Sequence, residues 1–189
     1  MSTDKSFLPQ RGNYRQLIVF QKAECIYDIT YYFAHQFLEK GDRTIDQMVQ
    51  AARSGKQNII EGSAASTTSR ETELKLINVA RASLHELLAD YEDYLRVRNL
   101  EQWQENDSRY LQTRKVCKIH NDSAYYREAI KQRSAETIAN IAITLLHQED
   151  AMLVHYHEKL KRQFIEQGGM REEMTRARIN YRNTHGYHQ

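Results

Sequence analysis

Apolar residues recur along the chain at the three- and four-residue spacing of amphipathic helices, and this pattern predicts four long helices. They are expected over residues 14–40, 44–62, 70–98 and 134–167. Four such helices joined by short connections predict an all-α fold, an up-down four-helix bundle over residues 14–167. The predicted core residues are Leu17, Phe20, Tyr27, Tyr31, Ala34 and Leu38 in the first helix, Ile45, Met48, Val49, Ala52, Ile59 and Ile60 in the second, Leu74, Ile77, Leu84, Leu87, Leu88, Tyr91 and Leu95 in the third, and Ile138, Ile141, Ala142, Leu145, Met152 and Tyr156 in the fourth.

Residues that break or cap helices support these boundaries. The chain has one proline and seven glycines, fewer than the turns of a sheet protein of this length would need. Gly41 is placed to end the first helix, and Gly55 predicts a close contact between helices. Thr68 and Glu71 have capping-box spacing at the start of the third helix. The apolar face of the first helix is broad, which favours a bundle that also self-associates.

Three segments lie outside this pattern. Residues 1–13 are expected to form a flexible N-terminal arm, and residues 164–189 a C-terminal suffix with a brief helical stretch and a frayed end. Residues 104–133 form an insertion before the fourth long helix. Within it, two short helices are predicted near residues 108–118 and 124–132, the second capped by Asp122 or Ser123.

Charge changes this picture mainly in the insertion. The whole chain has a net charge of only +2, a weak signal for a polyanionic partner. Residues 108–133, however, contain seven basic residues and two acidic ones. Tyrosines 110, 125 and 126 lie among these cations, so phosphate neutralisation and base stacking together suggest RNA or DNA binding. The alternative is a solvated surface whose tyrosines anchor the insertion. The basic candidates are Arg109, Arg114, Lys115, Lys118, Arg127, Lys131 and Arg133.

The C-terminal tail is a second candidate surface for nucleic acid. Arg171, Arg178 and Arg182 fall on one side of the tail if it is helical. A contact with a protein partner, or a disordered tail, is the alternative.

Two further stretches carry a family resemblance. Asn58-Ile59-Ile60-Glu61-Gly62 and Ala80-Arg81-Ala82-Ser83-Leu84-His85-Glu86 resemble motifs of the four-helix-bundle family of 23S rRNA intervening-sequence proteins. That family includes the accessory variability proteins of diversity-generating retroelements. The similarity covers residues 14–98, and Ala82 replaces the usual glycine. Residues 164–174 and the helix around 139–146 look like the four-helix-bundle suffix domain of one branch.

The resemblance implies a four-helix bundle that assembles into a homo-oligomeric ring, five-fold in the retroelement relatives. It also implies association with nucleic acid, because some relatives are encoded within rRNA genes and others act beside a reverse transcriptase. It assigns no role to the suffix.

Polar residues beside the apolar stripes have two interpretations. They either line a ligand site or, as we favour, form a buried hydrogen-bond network that fixes the register of the second and third helices. These residues are Asn58, Glu61, Arg81, Ser83 and Glu86.

No catalytic or metal-binding pattern is found in the sequence, so we expect neither an enzyme nor a cofactor. His155 and His157 point about 200° apart on a helix and cannot share a metal ion. Cys25 is expected to be a packed thiol, and Glu149 with Asp150 a solvated helix face. Without an apolar signal or membrane segment, a cytoplasmic location is expected. The sequence therefore predicts a non-catalytic nucleic-acid accessory protein, or alternatively a protein scaffold that uses the fourth helix and the suffix.

Overall fold

The computed structural model describes residues 13–186, with the backbone alone at Gln167, Met170, Arg171 and Glu173. The predicted N-terminal arm lies outside the described residues except for Asn13. Within 13–186 the chain is all-α, and no strand occurs. None of the helices in this range combines the length and apolar character that a membrane crossing needs.

Seven α-helices follow a single 3-10 turn over Tyr14–Gln16. They are α1 (Ile18–Phe37), α2 (Arg43–Ala65), α3 (Arg70–Val97), α4 (Ser108–Ile119), α5 (Ser123–Ala129), α6 (Ala135–Gln167) and α7 (Met170–His185). The predicted helices are thus present, and α4 and α5 occupy the predicted insertion. The tail differs from the expectation, because α7 continues for 16 residues instead of forming a brief helical stretch.

The four long helices pack in a closed order. α1 contacts α2 and α6, and α3 contacts the same two helices. α4 packs on α6 and α5 packs on α1, so the insertion covers the α1–α6 side. Helix α7 is not among the packed pairs, and it approaches the start of α3 only around residues 169–172.

One close approach fixes the α2–α3 packing. A Cβ atom added to Gly55 would lie 2.6 Å from Cδ2 of Leu84, a side chain that is itself buried. Only a glycine lets the two helices meet at this distance. The sequence prediction of a close helix contact at Gly55 is therefore confirmed.

The helix ends correct some predicted details. Ser69, not Thr68, caps α3, and its hydroxyl accepts a hydrogen bond from the Thr72 backbone nitrogen at 3.2 Å. Asp122, not Ser123, caps α5. The helix α1 ends at Phe37, before Gly41, which instead adopts a positive φ of 94° in the following turn.

Candidate nucleic-acid interface

Helix α5 is held against α1 by a small set of polar contacts. The Ser123 hydroxyl donates to the Asp28 carboxylate, and the Tyr32 hydroxyl donates to the Lys131 carbonyl at 3.4 Å. The guanidinium of Arg127 lies 3.8 Å from the same Asp28 carboxylate. These contacts join elements about a hundred residues apart and leave an open groove between them.

We call this the α1–α5 groove; it has a volume of about 530 Å³. Its aromatic residues come from α1 and its cations from α5 and the turn after it; they are Tyr27, Tyr31, Tyr32, His35, Arg127 and Lys131. The sequence pattern placed Tyr31 in the core, and this is wrong, since Tyr31 is 50% exposed. Its ring stacks on His35 with centroids 4.2 Å apart, which gives the groove a flat aromatic surface.

The cations of the groove are available to an anionic ligand. The side chain of Arg127 is 61% exposed, and that of Lys131 is 57% exposed. Lys131 pairs with Glu128 at 2.7 Å on the same surface. Because exposed ion pairs contribute little free energy, about 0–1 kcal/mol, phosphate groups can replace these partners at small cost.

The other predicted cations of the insertion divide into two kinds. Arg114, Lys115 and Lys118 are exposed on α4. Arg109 is committed to the fold, because its guanidinium bonds Asp107 and Glu101 and lies over the Trp103 ring. Arg133 donates to the Ala129 carbonyl at 2.9 Å and so caps the end of α5.

The tail arginines lie apart from the insertion. Arg178 and Arg182 are exposed, one turn apart on α7, and therefore share a side of that helix. The side chain of Arg171 lies outside the described residues. The structure thus brings Arg127 and Lys131 to the α1 tyrosines but does not bring the tail to either.

The predicted polar network is only partly assembled. The hydroxyls of Ser83 and Ser54 lie 3.0 Å apart and link α3 to α2, and the Asn58 amide donates to the Ser54 carbonyl at 2.8 Å. Arg81 instead binds Asp150 on α6, through Nε at 2.5 Å. Glu61 and Glu86 are exposed, so they lie outside the buried part of this network.

A pair of buried charged residues was missed by the sequence analysis. Lys22 on α1 is 1% exposed, and its Nζ donates to the carbonyls of Cys117 and His120, the latter at 3.2 Å. It thereby caps the C-terminal end of α4, where a cation is favourable. Burial lowers the pKa of Lys22, while the nearby thiols and Glu149 oppose that shift.

Glu149 on α6 lies on the same side. It is 0% exposed, and neither of its carboxylate oxygens has a hydrogen-bond partner among the described residues. Burial holds the pKa of this carboxyl well above its ordinary value. The expectation that Glu149 belongs to a solvated face is therefore wrong.

Helical spacing contains a signal for both residues. Lys22 follows the buried Val19 by three positions and precedes the buried Ile26 by four. Glu149 lies four residues from both Leu145 and Leu153, which are also buried. Each charged residue thus interrupts an apolar stripe at a position that must face inward.

Both cysteines are buried free thiols, and burial raises the pKa of Cys25 to about 12. No group of three metal-ligating side chains occurs within residues 13–186. Comparisons of the chain with protein-family models, curated proteins and solved structures find no match.

Proposed function

We propose that this protein is a non-catalytic accessory factor that binds single-stranded RNA or DNA along the α1–α5 groove. One observation carries the proposal: exposed aromatic rings from α1 lie beside the exposed cations Arg127 and Lys131. Bases stack on aromatic rings irrespective of sequence, while cations beside the rings neutralise the phosphates. The acidic partners of these cations are weakly held, so a strand can displace them.

The proposal includes the architecture and assembly of the chain. We infer that α1, α2, α3 and α6 form an up-down four-helix bundle, and their closed order of contacts supports this. Membership of the 23S rRNA intervening-sequence family, with a suffix over residues 164–189 and self-association into a ring, remains part of the proposal. It rests on the motifs in α2, α3 and the C-terminal stretch.

The test measures binding of a 20-nucleotide single strand of RNA or DNA by fluorescence anisotropy over a range of salt concentrations. The variant Arg127→Gln/Lys131→Gln should reduce the salt-dependence slope by about two, one for each lost phosphate contact. Tyr31→Ala should weaken binding about tenfold with an unchanged slope, because it removes stacking and no charge.

The matched control is Lys75→Gln/Arg96→Gln, which removes the same charge from exposed positions on α3. It should retain the wild-type slope and affinity within about twofold, since its charges are remote from the groove. A control that loses as much slope as the groove variant, or a groove variant that binds as the wild type does, would reject the α1–α5 groove.

A second function is favoured by the exposed apolar residues of the C-terminal region. Ile165, Ile179 and Tyr181 are 73%, 50% and 59% exposed, and α7 packs on no other described helix. An amphipathic helix with an uncovered apolar side can dock on a protein partner. This scaffold function becomes the proposal if no strand binds in the titration.

A further inference from the structure

A second cavity lies on the other side of the insertion, between α1, α4 and α6. It has a volume of about 790 Å³, and we call it the α1–α4–α6 cavity. It shares no lining residue with the α1–α5 groove. Its cations come from two elements, with Lys22 on α1 and Arg114 and Lys118 on α4.

The walls of this cavity are fixed by the fold. The Gln148 side chain donates to the Arg114 carbonyl at 2.8 Å and ties α4 to α6. Lys22 Nζ ties the end of α4 to α1 through its two carbonyl contacts. The backbone positions of the cations are therefore set before any ligand arrives, which reduces the entropy cost of binding.

Three positive groups converge on this cavity. Lys22 is buried, and two of its three N–H donors are used by carbonyls, so one donor remains. Arg114 and Lys118 are exposed, lie four residues apart on the same side of α4, and form no ion pair within the described part of the chain. Glu105 is the one carboxylate among the lining residues.

The carboxyl of Glu149 does not cancel this charge. It is fully buried, has no ion pair with Lys22, and is not part of the cavity wall. Because burial raises its pKa, it is favoured in the neutral form, and the ammonium group of Lys22 keeps its positive charge. An anion in the cavity therefore meets more positive than negative charge.

The rest of the wall suits an organic group larger than a simple ion. Tyr110 offers an aromatic ring, and Ile18 and Met152 offer apolar surface. The cavity falls within the range of about 300–1,000 Å³ that is usual for small-molecule sites. An inorganic phosphate would occupy only a small part of that space.

We propose that the α1–α4–α6 cavity binds a 5′-nucleotide, with its phosphate held by Lys22, Arg114 and Lys118 and its base against Tyr110. The nucleotide is either a free mononucleotide or the phosphorylated 5′ end of a strand, since both present the same phosphate monoester. The site is separate from the α1–α5 groove and does not depend on strand binding there.

Isothermal titration calorimetry with AMP, CMP, adenosine and inorganic phosphate tests the ligand class. AMP and CMP should bind at least about tenfold more tightly than adenosine, which lacks the phosphate, and than inorganic phosphate, which lacks the base. Adenosine or inorganic phosphate binding as tightly as AMP would overturn the proposal.

The position of the site is tested with a matched pair of variants. Arg114→Gln/Lys118→Gln should weaken the binding of AMP at least about tenfold. Lys115→Gln/Lys75→Gln removes the same charge from exposed residues outside the cavity wall and should bind AMP as the wild type does. Equal losses in both variants would overturn the assignment. Lys22 is left intact because its side chain also supports the fold.

A third arm separates the two sources of the nucleotide. A 12-nucleotide strand with a 5′ phosphate is compared with the same strand ending in a 5′ hydroxyl, in the Arg127→Gln/Lys131→Gln background that disables the groove. A preference for the phosphorylated strand that disappears in the Arg114→Gln/Lys118→Gln variant identifies strand ends. AMP binding without that preference identifies the free nucleotide. The absence of both would overturn the proposal.

Discussion

Two neighbouring carboxylates on α6 lie in very different surroundings. Glu149 faces α1 and α4 and is fully buried, with no hydrogen-bond partner for its carboxylate among the described residues. Asp150, turned by about 100° on the same helix, faces α3 and binds both Arg81 and His85. The pKa of the first is raised by burial, and that of the second is lowered by its hydrogen bond to Arg81.

The difference shows how the two sides of α6 are specialised. On the α3 side a half-exposed ion pair joins helices at little desolvation cost, and either residue can be changed without much loss. On the α1–α4 side, buried polar groups lie beside a cavity with exposed cations. Buried groups of this kind cost stability, and they are common where a protein binds a ligand.

The largest effect is expected from Lys22→Met. It removes the donor for the carbonyls of Cys117 and His120, and leaving these groups buried without a partner should cost about 2–3 kcal/mol of unfolding free energy. Urea denaturation followed by circular dichroism measures this loss. Lys75→Met, at an exposed lysine of α3, is the control and should change stability by less than about 0.5 kcal/mol. A Lys22→Met protein as stable as this control would mean that Lys22 does not support α4.

A smaller, pH-dependent effect is expected at Glu149. Its folded-state pKa is raised, so the folded protein binds more protons than the unfolded chain above the unfolded pKa of about 4.5. Stability is therefore full below that pH and falls as the pH rises toward the folded pKa, by at most about 1.4 kcal/mol per pH unit. Glu149→Gln should remove this fall, as measured by urea denaturation from pH 4 to pH 8. A variant whose pH profile parallels the wild type would show that Glu149 is ionised in the folded protein.

The smallest effect is expected at Asp150. Because its folded-state pKa is lowered, its contribution is present above the ordinary pKa of about 3.8 and disappears as the pH falls through the folded value. Asp150→Asn should cost about 0.5–1 kcal/mol at pH 7 and nothing near pH 2. Thermal or urea unfolding at both pH values checks this. A cost that persists at pH 2 would assign the effect to packing and not to charge.

Most of the fold could be predicted from the sequence, because helix formation depends on local spacing and caps. The bounds of α3 and α6 agree with the prediction within one residue at each end. Errors arose where a local pattern permits two answers. Tyr31 matches the apolar stripe of α1, but the side of the helix it occupies is left uncovered by neighbouring elements.

The candidate site was less predictable. The basic character of the insertion was visible, but the groove pairs Arg127 and Lys131 with tyrosines about a hundred residues earlier. No local pattern indicates which helix face the insertion will cover. Lys22 and Glu149 could have been noticed as charges on apolar stripes, yet only the packing of α4 and α6 shows why the fold accepts them.

The short connection between α2 and α3 has a consequence for the order of folding. These helices are separated by only four residues, yet they form the most extensive helix contact of the described chain, including the close approach at Gly55. Closing a short loop costs little entropy, whereas α1 and α6 can meet only after nearly a hundred residues are arranged. We therefore expect the α2–α3 hairpin to form early in folding, with α6 docking later.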